Sequence, residues 1–151
     1  MHGTLTRKRK NGFSLVELVI VVVILGIIGA IAIPRMSRGA AGASDSGLVA
    51  DLAVLRNAIE LYAAEHNGAY PTVAKFTEQL TTYTNAAGGD NASKTAAFKF
   101  GPYLTAVPNL KVGDEAGGNS VAAAAAVGVA WVYDEDTGVI RANAASPYDA
   151  Y

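Results

Sequence analysis

Cysteine is absent from the 151 residues. That excludes a disulfide framework, a thiolate metal site and thiol catalysis. Histidine is almost absent. His2 lies in the opening residues and His66 at the end of a helical pattern, so neither a His cluster nor a Ser–His–Asp set can be assembled. Charged residues make up only 17% of the chain. Beyond the first dozen residues the basic ones are scattered and outnumbered, which excludes a nucleic-acid-binding stripe. Gly88-Gly89 lacks the spacing to a Gly-Lys-Ser/Thr triplet that a phosphate loop needs. Glu78, Asp90 and Asp114 have no spacing that pairs carboxylates for acid–base work. The chain reads as non-enzymatic.

Apolar surface, by contrast, is plentiful, and it is concentrated. Between Leu18 and Ile33 no residue is charged, and from Phe13 to Ile33 only Ser14 and Glu17 are polar. As a helix this run is roughly 30 Å long, about one hydrocarbon core. A chain of this size could hardly bury such a helix on all sides, so the run reads as a membrane span. Arg7, Lys8, Arg9 and Lys10 precede it with no acid among residues 1–11. Basic residues before an apolar span are held on the cytoplasmic side, so the residues beyond the span are exported. Without those four the chain has eight basic residues against thirteen acidic ones, a net charge of −5.

The order of features is not that of an ordinary secretory signal, whose apolar region is shorter and precedes a small-residue cleavage site. Here a lone Gly12 separates the basic cluster from the apolar run, in the string RKRKNGFSLVELVIVVVILGIIGAIAIP. Glu17 is the only acid in that run. An ionisable residue in a membrane span costs a few kcal/mol and asks for a partner.

The string from Gly12 through Phe13, Ser14, Leu15, Val16, Glu17 and Leu18 into the apolar run resembles the leader signal of type IV prepilins and type II secretion pseudopilins. The resemblance implies cleavage after Gly12 by a membrane prepilin peptidase that also methylates the new amino terminus at Phe13. It implies a leader of residues 1–12, a transmembrane and filament-core helix of residues 13–34, and an exported head of residues 35–151. In that family the glutamate is thought to pair with the methylated terminus of a neighbouring subunit; its own terminus, four residues away, is the other candidate for Glu17. The implied location is the bacterial inner membrane, single-pass, with the amino terminus cytoplasmic and the head periplasmic. Implied partners are further copies of the chain, minor pseudopilins or pilins, the peptidase/methylase, the inner-membrane assembly platform and, before assembly, lipid; nucleic acid is not a direct partner.

Past Pro34, Gly39, Gly42 and Gly47 weaken intrinsic helicity. An amphipathic pattern then begins, with Leu48, Leu52, Leu55, Ile59, Tyr62 and His66 in steps of four and three. Asn67-Gly68 is a helix stop. The expectation is one helix from about Ser14 to His66, with Gly26, Gly29 and Pro34 marking a place to kink or to lose helicity on assembly. Thr72 is expected to cap a second, short helix with Phe76, Leu80 and Tyr83 on its buried side. Residues 85–95 read as a loop, and residues 121–127 are ambiguous between strand and helix. Val129–Tyr133 and Val139–Ala142 read as strands joined by a hairpin loop at Asp134–Gly138. Trp131 and Tyr133 share one sheet face as core. The fold class is α+β and pilin-like: a long amino-terminal helix packed on a small antiparallel sheet.

The strings HNGAYPT, GPYL and WVYDEDTGVIRAN look like the globular part of the major (G-type) pseudopilins of type II secretion. That family commonly holds a calcium ion in its carboxy-terminal loops. Oxygen donors for such an ion here would come from Asp114, Glu115 and Asn119, or from Asp134, Glu135 and Asp136. Three functions are compatible with these features: a pseudopilus subunit of a type II secretion machine; a type IV pilin of surface fibres for adhesion, motility or DNA uptake; and a membrane-anchored binding domain that never polymerises. The leader and Glu17 argue against the third, and the head strings favour the first over the second.

Overall fold

The computed structural model describes residues 12–145 and Tyr148, and for residues 32–41 only the backbone. The basic leader, residues 1–11, lies outside the described residues. The chain divides into two units, Met1–Ala41 and Gly42–Tyr151. Helix α1 runs Leu15–Glu65, as the periodicity predicts. The glycines that argue against helix are overridden by packing at one of them. A Cβ on Gly47 would meet Lys111 Cγ at 3.4 Å, so the Lys111 stem lies across α1 there. Its ammonium pairs with Asp51 at 3.3 Å.

α1 ends where the Asn67-Gly68 signal places its stop. Asn67 takes the left-handed conformation at φ 57°, and the Gly68 N–H reaches back to the Ala63 carbonyl at 2.8 Å. That is the six-to-one bond of a Schellman cap, which satisfies a carbonyl the helix would otherwise leave open.

In the second unit the predicted stripe is the core. Leu48, Leu52, Leu55, Ile59 and Tyr62 are buried together with Phe76, Leu80, Leu110, Trp131, Tyr133 and Ile140. His66 closes the stripe as a packing residue. It is buried, stacks on Tyr62 with ring centres 3.8 Å apart, and meets Phe100 edge-on.

After α1, Val73–Lys75 forms a single 3-10 turn and Phe76–Thr81 forms helix α2. Thr72 heads the 3-10 turn, but its side chain makes no capping bond. Gln79, buried on α2, does the fastening instead: its Oε1 accepts the Thr72 N–H at 2.8 Å and its Nε2 donates to the Gly88 carbonyl at 2.8 Å. Phe76 and Leu80 are buried as expected. Tyr83 is not on the helix; it opens strand β1, Tyr83–Thr84, and is half-buried. The expected loop at residues 85–95 contains strand β2, Asp90–Asn91, antiparallel to β1. Between them Asn85 Oδ1 accepts from the Ala87 and Gly89 amides, an Asx turn that a reading of the segment as loop does not show.

The main sheet has the order β3-β4-β5, where β3 is Val121–Ala122, β4 Trp131–Tyr133 and β5 Ile140–Ala142. β4 and β5 form the expected antiparallel hairpin, but β3 and β4 are parallel. The sheet is therefore mixed. The ambiguous stretch resolves into two residues of strand and then an exposed loop. That loop carries the chain back to enter β4 in the same direction as β3, with the Ala130 and Trp131 amides both donating to the Ser120 carbonyl.

Trp131 and Tyr133 are core, and each uses its polar tip as an anchor. The indole N–H donates to the Pro108 carbonyl at 2.9 Å, and the Tyr133 hydroxyl to the Pro71 carbonyl at 3.0 Å. The hairpin turn packs under Tyr70. Gly138 has φ 71°, and a Cβ there would come within 2.5 Å of the Tyr70 ring, so this position admits no other residue without movement.

Tyr133→Phe should cost about 1–2 kcal/mol, the worth of a buried hydroxyl bond together with its stranded acceptor, read by chemical denaturation. Burial, followed by the nearby Glu135 charge, pushes the Tyr133 phenol upward; burial and then the bond to Glu65 do the same for Tyr103. Both folded values lie above the ordinary phenol value of about 10. The unfolded chain thus sheds these protons first, so their stabilisation is complete below about pH 10 and is lost as the pH climbs toward the folded values. Denaturation midpoints measured at rising alkaline pH should fall, and the double variant Tyr103→Phe/Tyr133→Phe should flatten the fall.

Candidate functional site

The processing signal and the start of α1 form one local structure. Gly12, Phe13 and Ser14 precede the helix, and no other described part of the chain crowds the space above Gly12. Phe13 is 79% exposed. Leu15 being the first helical residue, Ser14 is the N-cap and Glu17 sits at the third helical position. Its carboxylate accepts the Ser14 backbone N–H at 2.9 Å. This is the reciprocal half of a capping box, in which an acid at that position satisfies an amide the helix leaves open. It also puts negative charge at the positive end of the helix dipole. Glu17 therefore has a partner one residue from the bond between Gly12 and Phe13. The Ser-x-x-Glu spacing of Ser14 and Glu17 is the sequence signal of this cap.

Above that cap the helix is apolar all round and exposed among the described residues. Leu15, Val16, Leu18 and the apolar residues through Ile31 are about half exposed or more. A helix with this pattern is stable only where lipid or another protein covers it. Among the described residues no helix is long and apolar enough to cross a membrane; the described apolar stretch is the seventeen residues Leu15 to Ile31, roughly 25 Å of helix. Gly26 and Gly29 have open space above them. The Pro34 side chain lies outside the described residues.

The candidate calcium donors do not converge. Among the described residues no three His, Cys, Asp or Glu side chains come together to hold a metal ion. At the hairpin, Asp134 accepts from the Asp136 amide and from the Thr137 hydroxyl, at 3.0 and 2.8 Å. The Thr137 bond and then the Asp136 bond hold the Asp134 carboxyl below the usual range. Glu135 turns away to take the Val73 N–H at 2.6 Å. Asp114 and Glu115 line a separate shallow cleft beside Ala126 and Asn143. Asn119 is exposed. Asp134 makes the turn and Glu135 anchors it, and the described acids do not gather, so calcium finds no support in this arrangement.

Asn143 carries no signal in the sequence. Its side-chain amide donates to two carbonyls, Ala126 at 2.9 Å and Val129 at 2.7 Å. Its backbone N–H donates to Ala130 at 2.8 Å. One residue after β5 thus fastens the loop before β4.

The prokaryotic N-terminal methylation motif matches residues 7–33, the segment holding the basic cluster, Gly12, Phe13 and Glu17. The type II secretion system core protein G of Aeromonas hydrophila is 28% identical over 104 residues, covering 69% of this chain and 68% of that protein. No solved structure matches the chain.

Glu17→Gln should keep the cap, because a glutamine oxygen can accept the same amide, whereas Glu17→Ala should lose it. Hydrogen exchange at the Ser14 amide, measured in micelles, should be several-fold faster in the alanine variant and close to wild type in the glutamine variant.

Proposed function

We propose, from the premise that this is a type IV pilin-like chain of the G-type pseudopilin kind, that it is the structural subunit of a filament belonging to a type II protein secretion machine. The proteins it resembles are structural subunits rather than enzymes. The observation that carries the reading is the sequence Gly12-Phe13-Ser14-Leu15-Val16-Glu17 at the head of a helix whose described apolar side chains are exposed.

The proposed course begins with insertion. The basic leader stays on the cytoplasmic side and residues 13–34 span the inner membrane, placing the head in the periplasm. A prepilin peptidase cuts after Gly12 and methylates the Phe13 amine. Lipid covers the apolar helix first. Extraction at an assembly platform then exchanges lipid for the same helix of neighbouring copies, with minor pseudopilins as further partners. A carboxylate left unpaired in an apolar filament core is costly. Glu17 would therefore set the register by meeting the methylated amine of a neighbour, and Gly26, Gly29 and Pro34 would let the helix loosen as it packs. The methylation motif is common to pilins of surface fibres. The similarity to core protein G, which reaches into the head, favours the secretion filament.

Two measurements test the reading. Mass spectrometry of the chain from membranes should show a mature amino terminus at Phe13, one methylene heavier than the bare residue. Glu17→Gln, which retains the cap but not the charge, should insert into the membrane and be cleaved normally, yet lower filament yield by at least about tenfold, the loss expected when a buried charge pair is broken. Wild-type yield from Glu17→Gln would remove the assembly role from Glu17, and an uncleaved chain beginning at Met1 would remove the processing step.

A further inference from the structure

The loop that closes the sheet has a chemical peculiarity. Four backbone carbonyls between Ala126 and Ala130 all accept from donors within the protein. Ala126 and Val129 take the Asn143 carboxamide, Gly128 takes the Ser120 hydroxyl, and Ala130 takes the Asn143 backbone N–H. Calcium needs six to eight oxygens, and backbone carbonyls of a loop are typical donors. Here two of those carbonyls, Ala126 and Val129, point at an N–H₂ group. The orientation of that amide is unambiguous on chemical grounds: both partners are carbonyl oxygens, which only accept, so the atom between them is nitrogen. Its two hydrogens match its two acceptors, leaving neither N–H of the amide unused.

Two of the carboxylates are likewise engaged. Asp134 and Glu135 spend their oxygens on the hairpin and on Val73. Asp114 and Glu115 share the cleft with Asn143, but among the described residues no third metal-binding side chain joins them. The described residues do not fit the ion that related heads commonly hold.

We propose that the Asn143 carboxamide does in this head what a cation does in its relatives, gathering the carbonyls of the loop before β4 and tying them to the end of β5. The head is then closed without calcium, and its stability and assembly are indifferent to chelation. The geometry carries this independently of whether the chain polymerises.

The full-length protein in detergent micelles provides the test. Its thermal midpoint should be the same, within about 1 °C, in chelator and in calcium at about 10 mM, above the dissociation constants of weak extracellular sites. Asn143→Asp keeps the shape but turns a carboxylate toward two carbonyl oxygens. In chelator it should melt about 5 °C or more below wild type, and limited proteolysis should open residues 123–128 first. A wild-type midpoint raised by about 5 °C or more by calcium would overturn the proposal, as would an Asn143→Asp variant that melts with wild type in chelator.

Discussion

Leu48, Leu52, Leu55, Ile59 and Tyr62 form a single stripe on α1, and α2 and the main sheet are placed by what they lay on that stripe. α2 contributes Phe76 and Leu80, and the sheet contributes Trp131, Tyr133 and Ile140. The strands have only two or three residues each, far too few to be stable alone. They persist because their inward side chains are buried on the helix and because the polar tips of Trp131 and Tyr133 reach carbonyls at Pro108 and Pro71. Arg56 adds a weaker tie from α1 to the edge of the sheet, donating to the Ile140 carbonyl at 3.4 Å.

The first part of the same helix has the opposite problem. It is apolar on every side, and none of the described residues covers it. Covering such a surface is worth roughly 25 cal/mol for each Å² removed from water, so the surroundings must be lipid or other apolar helices. Glu17 makes the two surroundings inequivalent. In the isolated chain its charge is held at the helix start by the Ser14 amide. In an apolar polymer that single bond to a neutral donor leaves a buried charge, and only a cation compensates it fully. The cap and the proposed ion pair are two stages in the use of one carboxylate.

The long helix, its stop at Asn67-Gly68 and the aromatic strand pair were legible because each rests on a strong local signal. Those signals are a periodic apolar stripe, a left-handed residue before glycine, and alternation around Val132. The features that were not legible depend on contacts between distant residues. The parallel pairing of β3 with β4 comes from a loop folding back on Ser120, and nothing in the alanines of residues 122–126 announces it. Gln79 and Asn143 carry no signal in the sequence, yet each satisfies backbone groups on another segment. The calcium donors were misjudged for a related reason. Acids in turns satisfy their own turn amides first, as Asp134 does, and counting carboxylates does not reveal that they are already engaged. At the processing site the residues are plain in sequence, and the hydrogen bond that occupies Glu17 is signalled there only by the Ser-x-x-Glu spacing.

The central claim is that the uncovered helix is made for a polymer. Cryo-electron microscopy of filaments from cells producing this chain, at a resolution that shows side chains, addresses it directly. The account predicts a filament whose subunit begins at Phe13, whose residues 13–31 pack against the same residues of other copies, and in which the Glu17 carboxylate lies within hydrogen-bonding distance of a terminal amine. Filaments lacking this chain, or a Glu17 facing solvent in those that contain it, would contradict it.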